Sequence, residues 1–93
     1  MKIIDPKFHI EPQTGAIVKT SNGEPIPDDE PLMLFRARDH NALPMLQEYR
    51  KICVADGCNN FQLAAIDNRI AAFENFAMDH PDRMKQPGCT RGL

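Results

Sequence analysis

Proline limits where this chain can be regular. Pro25, Pro27 and Pro31 fall within one seven-residue stretch, PIPDDEP, which can donate few sheet hydrogen bonds and suits an edge or a covering loop. Pro44 fits a helix only in its first turn, and Pro81 ends one, because the residue before a proline is driven out of the helical region. Between Pro44 and Pro81 the apolar residues recur at helical spacing; before Pro25 they come in short β-prone runs.

In the first part, Phe8–Ile10 and Ala16–Val18 bracket a five-residue link, Glu11–Gly15, whose terminal glycine can take positive φ. The spacing predicts a hairpin. Thr20–Glu24 contains Asn-Gly and predicts a second turn. Leu32–Ala37 reads as a third strand, with Leu32, Leu34 and Arg36 on one face and Met33, Phe35 and Ala37 on the other. The wholly apolar second set is expected to face the core. Arg38 would then share the face of Arg36.

A helix is expected from Asp39–Asn41, both residues being good N-caps, to a stop at Gly57. Ala42, Met45, Leu46, Tyr49, Ile52 and Cys53 form its apolar stripe. A second helix, capped by Asn59 or Asn60, is expected to run to about Asp79. It carries one apolar face of Leu63, Ile66, Ile70, Phe73 and Ala77, and another of Phe61, Ala65, Ala72 and Phe76. A helix apolar on two sides packs on two sides. The second face has two candidate occupants, another copy of the chain or the N-terminal strands. The expected architecture is α+β: a small antiparallel sheet packed on an antiparallel helical hairpin, in one domain. Residues 1–38 form strands and turns, 39–80 the hairpin, and 81–93 an aperiodic, partly ordered tail.

Ninety-three residues bury a modest fraction of their surface, and the five Phe and one Tyr, without Trp, leave packing to aliphatics and methionines. Self-association would add burial, so a homo-oligomer is expected. The formal charge of −2 does not supply the positive field of a nucleic-acid binder. No apolar run approaches the length of a membrane span. The odd cysteine count, Cys53, Cys58 and Cys89, without a CxxC pair or a signal peptide, points to reduced thiols in a cytoplasmic protein. His9, His40 and His80 lack zinc-type partners in sequence, and no nucleophile elbow, P-loop, dinucleotide fingerprint or HExxH occurs. The reading is therefore of a non-enzyme without metal or cofactor.

What remains is charge. Residues 1–31 carry three lysines against six carboxylates, whereas residues 32–58 carry four basic side chains against three acids. Arg36 and Arg38 share one face of the expected strand beside a helix N-terminus, and arginine's planar fork suits phosphate or carboxylate. Anion binding is thus the strongest functional candidate. His40, Arg83 and Lys85 are auxiliary donors, and Tyr49 is a surface on which a base could stack. The competing expectation is that Arg36 and Arg38 pair with Asp28, Asp29, Glu30 or Asp39, since opposite charges so near in sequence usually meet.

At PIPDDEPLMLFRARD and again at HPDRMKQPG, the chain resembles short uncharacterised proteins encoded by bacteriophages and prophage-bearing bacteria. The resemblance implies an accessory role in the cytoplasm of a bacterial host. One expected form is an anti-defence protein that sequesters an anionic nucleotide signal without cleaving it. The alternative is direct contact with a host protein, which it inhibits or assembles with.

Overall fold

The computed structural model describes residues 3–86. The chain divides into two compact units, Met1–Met33 and Leu34–Leu93. The first holds a two-stranded antiparallel sheet and the second a pair of packed helices, so the fold is α+β.

In the first unit, β1 (Phe8–Ile10) pairs with β2 (Ile17–Lys19) in the register Phe8↔Lys19, His9↔Val18 and Ile10↔Ile17. β2 starts one residue later than its sequence suggests. The link closes on itself: Gly15 N–H donates to the Glu11 carbonyl and Glu11 N–H to the Ala16 carbonyl, both at 2.8 Å. Gly15 has φ 73°, where a side chain would be strained. The next turn repeats the scheme. Lys19 N–H donates to the Glu24 carbonyl and Gly23 N–H to the Lys19 carbonyl. The chain then comes back along the free side of β2, where Ile26 N–H donates to the Ile17 carbonyl at 3.2 Å and Pro25 bridges to Val18. Glu24 and Ile26 supply those bonds, so the proline between them needs no N–H. Val18, on β2, is the buried residue of this unit among the described residues.

Leu32–Ala37 is not a strand. The run is irregular, and Leu32, Met33 and Leu34 are 53%, 78% and 64% exposed, with Phe35 at 38%. Four consecutive apolar residues satisfy either face of a strand equally well, and such a run becomes a strand only where its amides and carbonyls find an edge. Here the chain turns instead: Asp39 N–H donates to the Arg36 carbonyl at 3.0 Å. The expected common face of Arg36 and Arg38 goes with the strand.

The second unit is the helical pair α1 (Ala42–Ala55) and α2 (Asn60–Asp79). Asp39 rather than Asn41 organises the start of α1, its carboxylate accepting from Asn41 N–H at 2.8 Å and its carbonyl from Ala42 N–H at 3.0 Å. Pro44 lies in the first turn, where its missing N–H costs no helical bond. At the other end Gly57, at φ 78°, stops the helix. Asn59 caps α2, its side chain accepting from Gln62 N–H at 2.8 Å. Replacing Asn59 with Ala is expected to destabilise this unit by about 1 kcal/mol, read as a lower denaturant midpoint at unchanged slope. An unchanged midpoint would show that water serves the α2 amides equally well.

The two helices pack against each other, and their buried residues are Ala42 and Cys53 on α1 and Ala65 and Ile66 on α2, while Met45, Leu46, Leu63, Ile70 and Phe73 are half-buried. Ile66, 1% exposed, is the largest fully buried side chain. The apolar stripe of α1 is narrower than its sequence suggests, because Tyr49 and Ile52 stand at the surface. Phe61, from the second face of α2, is exposed, whereas Ala65 of that face is buried.

The first part of the segment read as an aperiodic tail has defined structure. Pro81–Arg83 form a short 3-10 turn, after which Lys85 pairs with Asp39 in a parallel bridge. Lys85 N–H donates to the Arg38 carbonyl at 2.7 Å, and His40 N–H to the Lys85 carbonyl at 2.8 Å. A bridge of two bonds has no sequence period, so nothing in DRMKQ announces it. Residues 87–93, including Cys89, lie outside the described residues.

Candidate anion-binding site

The Arg38–His40 and Lys85 backbones are clasped together at the entrance to α1, with the whole helical hairpin between them in sequence. The clasp joins three of the six residues singled out in the sequence: Arg38, His40 and Lys85. Arg36 and Arg83 each lie two residues from a clasped position. Within Arg36–His40 and Pro81–Gln86 there are four cationic side chains, Arg36, Arg38, Arg83 and Lys85, against the carboxylates of Asp39 and Asp82. This part of the molecule is therefore locally positive in a chain whose formal charge is −2.

The individual residues are not equivalent. Arg36, His40, Arg83 and Lys85 are exposed, and Arg38 is half-buried. The guanidinium of Arg83 lies 4.8 Å from the centre of the Phe76 ring, which also meets the His80 ring at 5.1 Å. Arg83 is thus held against the C-terminal end of α2, where a cation also favours the helix dipole. The helix N-terminus contributes less than its position suggests. Asp39 already takes up the amides at the start of α1, its carboxylate accepting from Asn41 N–H and its carbonyl from Ala42 N–H, and Pro44 has no N–H to offer. A bound anion here would depend on side-chain cations. Neither arginine forms a salt bridge with Asp39, so that part of the competing expectation is not met. The Asp28–Glu30 loop belongs to the other unit.

Tyr49 belongs elsewhere. A hydrogen bond with the Cys53 thiol, reinforced by the charge of that group and by partial burial, holds its phenol above the ordinary tyrosine value, while Arg69 of α2 opposes the shift. The sequence signal for this cluster was available: Tyr49 and Cys53 are one helical turn apart. A second feature missed in the sequence is the pairing of Arg50 with Asp67, two-pronged at 2.5 Å from Nε to Oδ1 and 3.3 Å from Nη2 to Oδ2. The bond from Arg50 lowers the Asp67 carboxyl below its ordinary value. Both side chains face water, so the pair orients the helices rather than adding much stability.

Among the described residues, no group of three or more His, Cys, Asp or Glu is placed to hold a metal ion, and no helix is long and apolar enough to cross a membrane. No family model, curated protein or solved structure matches the chain.

Proposed function

We propose that this is a non-catalytic binding protein whose ligand is a small anion bearing phosphate or carboxylate groups. The clasp between Arg38–His40 and Lys85 carries the reading, because it joins the backbones of two segments, one at each end of a helical hairpin, that both bear cationic residues. Arg36, Arg38 and Lys85 are the primary contacts in this reading, with His40 and Arg83 at the margin. A nucleotide is the favoured class of ligand. In the phage-type setting implied by the sequence resemblance, the corresponding role is sequestration of a nucleotide signal in the cytoplasm of a bacterial host.

The experiment is a thermal shift against inorganic phosphate and a panel of linear and cyclic nucleotides at low and high salt. A ligand present at a hundredfold its dissociation constant stabilises the native state by about 2.7 kcal/mol. The expected result is a rise in melting temperature with at least one nucleotide, diminished by salt, with the ligand recovered unaltered. A flat response to the whole panel would defeat the reading.

One observation favours a second reading. Leu34 and Phe35 stand at the surface immediately before the two arginines, an arrangement suited to a protein partner with an apolar patch and an acidic rim. Capture of one host protein by the wild type, and its loss with Leu34→Asp, would support contact with a protein instead.

A further inference from the structure

The end of α1 is a Schellman turn with cysteines at both of its contact positions. Gly57 N–H donates to the Val54 carbonyl at 3.1 Å, and Cys58 N–H to the Cys53 carbonyl at 3.0 Å. This motif ordinarily brings together an apolar side chain three residues from the helix end and another just beyond the glycine. In this chain those positions are Cys53 and Cys58. The amide-to-carbonyl bond between them caps their Cα separation at roughly 7 Å even with every bond pointing apart. The bend of the turn brings it towards the span of about 4.4–6.8 Å that disulfides require.

The two thiols differ in access. Cys53 is buried, whereas Cys58 is half-buried. That difference sets an order of reaction, since an attacking thiol must first be reached by its partner. Beside them sits Tyr49, whose phenol is hydrogen-bonded to Cys53 and also senses Cys58 and Arg69.

We propose that Cys53 and Cys58 form a dithiol site that reacts with a low-molecular-weight disulfide, RSSR, and closes into an intramolecular disulfide. Cys58 loses its proton and attacks one sulfur of RSSR. The S–S bond of RSSR breaks, one thiolate leaves and takes up the proton, and a Cys58–SR mixed disulfide forms. Cys53 then loses its proton and attacks the Cys58 sulfur. The second thiolate departs with that proton as the Cys53–Cys58 bond closes. The protein has given up two electrons and two protons, and RSSR has become two RSH. The product staples the last turn of α1 to the residue that follows Gly57.

The test uses the full chain carrying Cys89→Ser, so that the third cysteine does not enter the exchange. The protein is equilibrated in glutathione buffers of increasing oxidised fraction, quenched with acid, alkylated and mapped by mass spectrometry. The expected product is a Cys53–Cys58 linked peptide, with both thiols lost to alkylation together. Adding Cys53→Ser is expected to trap a glutathione adduct at Cys58. Adding Cys58→Ser instead is expected to leave Cys53 reacting at least about tenfold more slowly, because it is buried. A stable adduct at Cys58 beside an intact Cys53 in the two-cysteine protein would overturn the pairing. Equal reactivity of the two single-cysteine variants would overturn the order of attack.

Tyr49 supplies an independent readout, being the single tyrosine in a chain without tryptophan. The groups facing its phenol are Cys53 on its own helix, Cys58 beyond the turn and Arg69 on α2. Closing the disulfide removes the two thiols, the strongest influence raising its pKa, and leaves only partial burial, which raises it, against Arg69, which lowers it. Ultraviolet titration of the oxidised protein is therefore expected to show the phenol ionising at lower pH than in the reduced protein. An identical titration in the two forms would place the disulfide away from Tyr49 and overturn the assignment.

Discussion

Replacing Ile66 with Ala is expected to cost the helical unit about 3 kcal/mol, in the range measured for removing a fully buried aliphatic side chain. Ile66 is 1% exposed and follows Ala65, which is also buried and too small to expand into the space it leaves. The loss therefore includes both the transfer of its methyl groups and the cavity that remains. For a unit of this size, a deficit of 3 kcal/mol corresponds to a melting temperature lower by about 12 °C or more. Calorimetry or far-ultraviolet circular dichroism would measure it, since α1 and α2 provide the helical signal. Ile66→Val, which removes one methyl, is expected to cost about 1 kcal/mol. A loss below 1 kcal/mol for Ile66→Ala would mean that the two helices do not depend on this contact.

The second large effect concerns binding. Changing Arg36 and Arg38 together to Glu turns a local excess of two positive charges into an excess of two negative ones. Each charge-assisted contact to an anion is worth roughly 1.5–3 kcal/mol. Losing two of them, and adding repulsion, is expected to weaken binding of a nucleotide found by thermal shift by more than about a hundredfold. Helix content should be unchanged, because the clasp uses the backbone carbonyl of Arg38 and not its guanidinium. Isothermal titration of wild type and double variant side by side would measure the difference. Binding retained within threefold would remove the arginines from the site and leave them without a role in anion recognition.

The helical half of the molecule was legible because several local signals agreed. Asn59, Pro81 and Gly57 mark boundaries by mechanisms that act within a turn, and the stripe from Leu63 to Ala77 repeats often enough to leave one period as the answer. The hairpin was legible for the same reason, through Gly15 and Gly23. Leu32–Phe35 misled because its four apolar side chains fit several arrangements, and whether they become a strand depends on an edge elsewhere in the chain. The clasp was invisible for the opposite reason: its bonds join backbone groups of Arg38, His40 and Lys85, and a backbone carries no residue-specific mark. The cationic residues were found by their chemistry, but their grouping rests on that pairing. Tyr49 and Cys53 were legible as neighbours on one helical stripe, but a packing stripe gives no sign that the phenol and the thiol interact.

The Asp39–Lys85 bridge has a consequence for how the helical unit could be handled as a module. Its polypeptide enters and leaves through adjacent, hydrogen-bonded positions, so the hairpin hangs from the rest of the chain by a closed neck. Units with neighbouring ends tolerate insertion into surface loops of other proteins and rejoining of their termini by a short linker. Residues 34–86 thus form a natural cassette: opened at the Asp56–Asn59 connection and joined at the neck, the same two helices would be read in the opposite order.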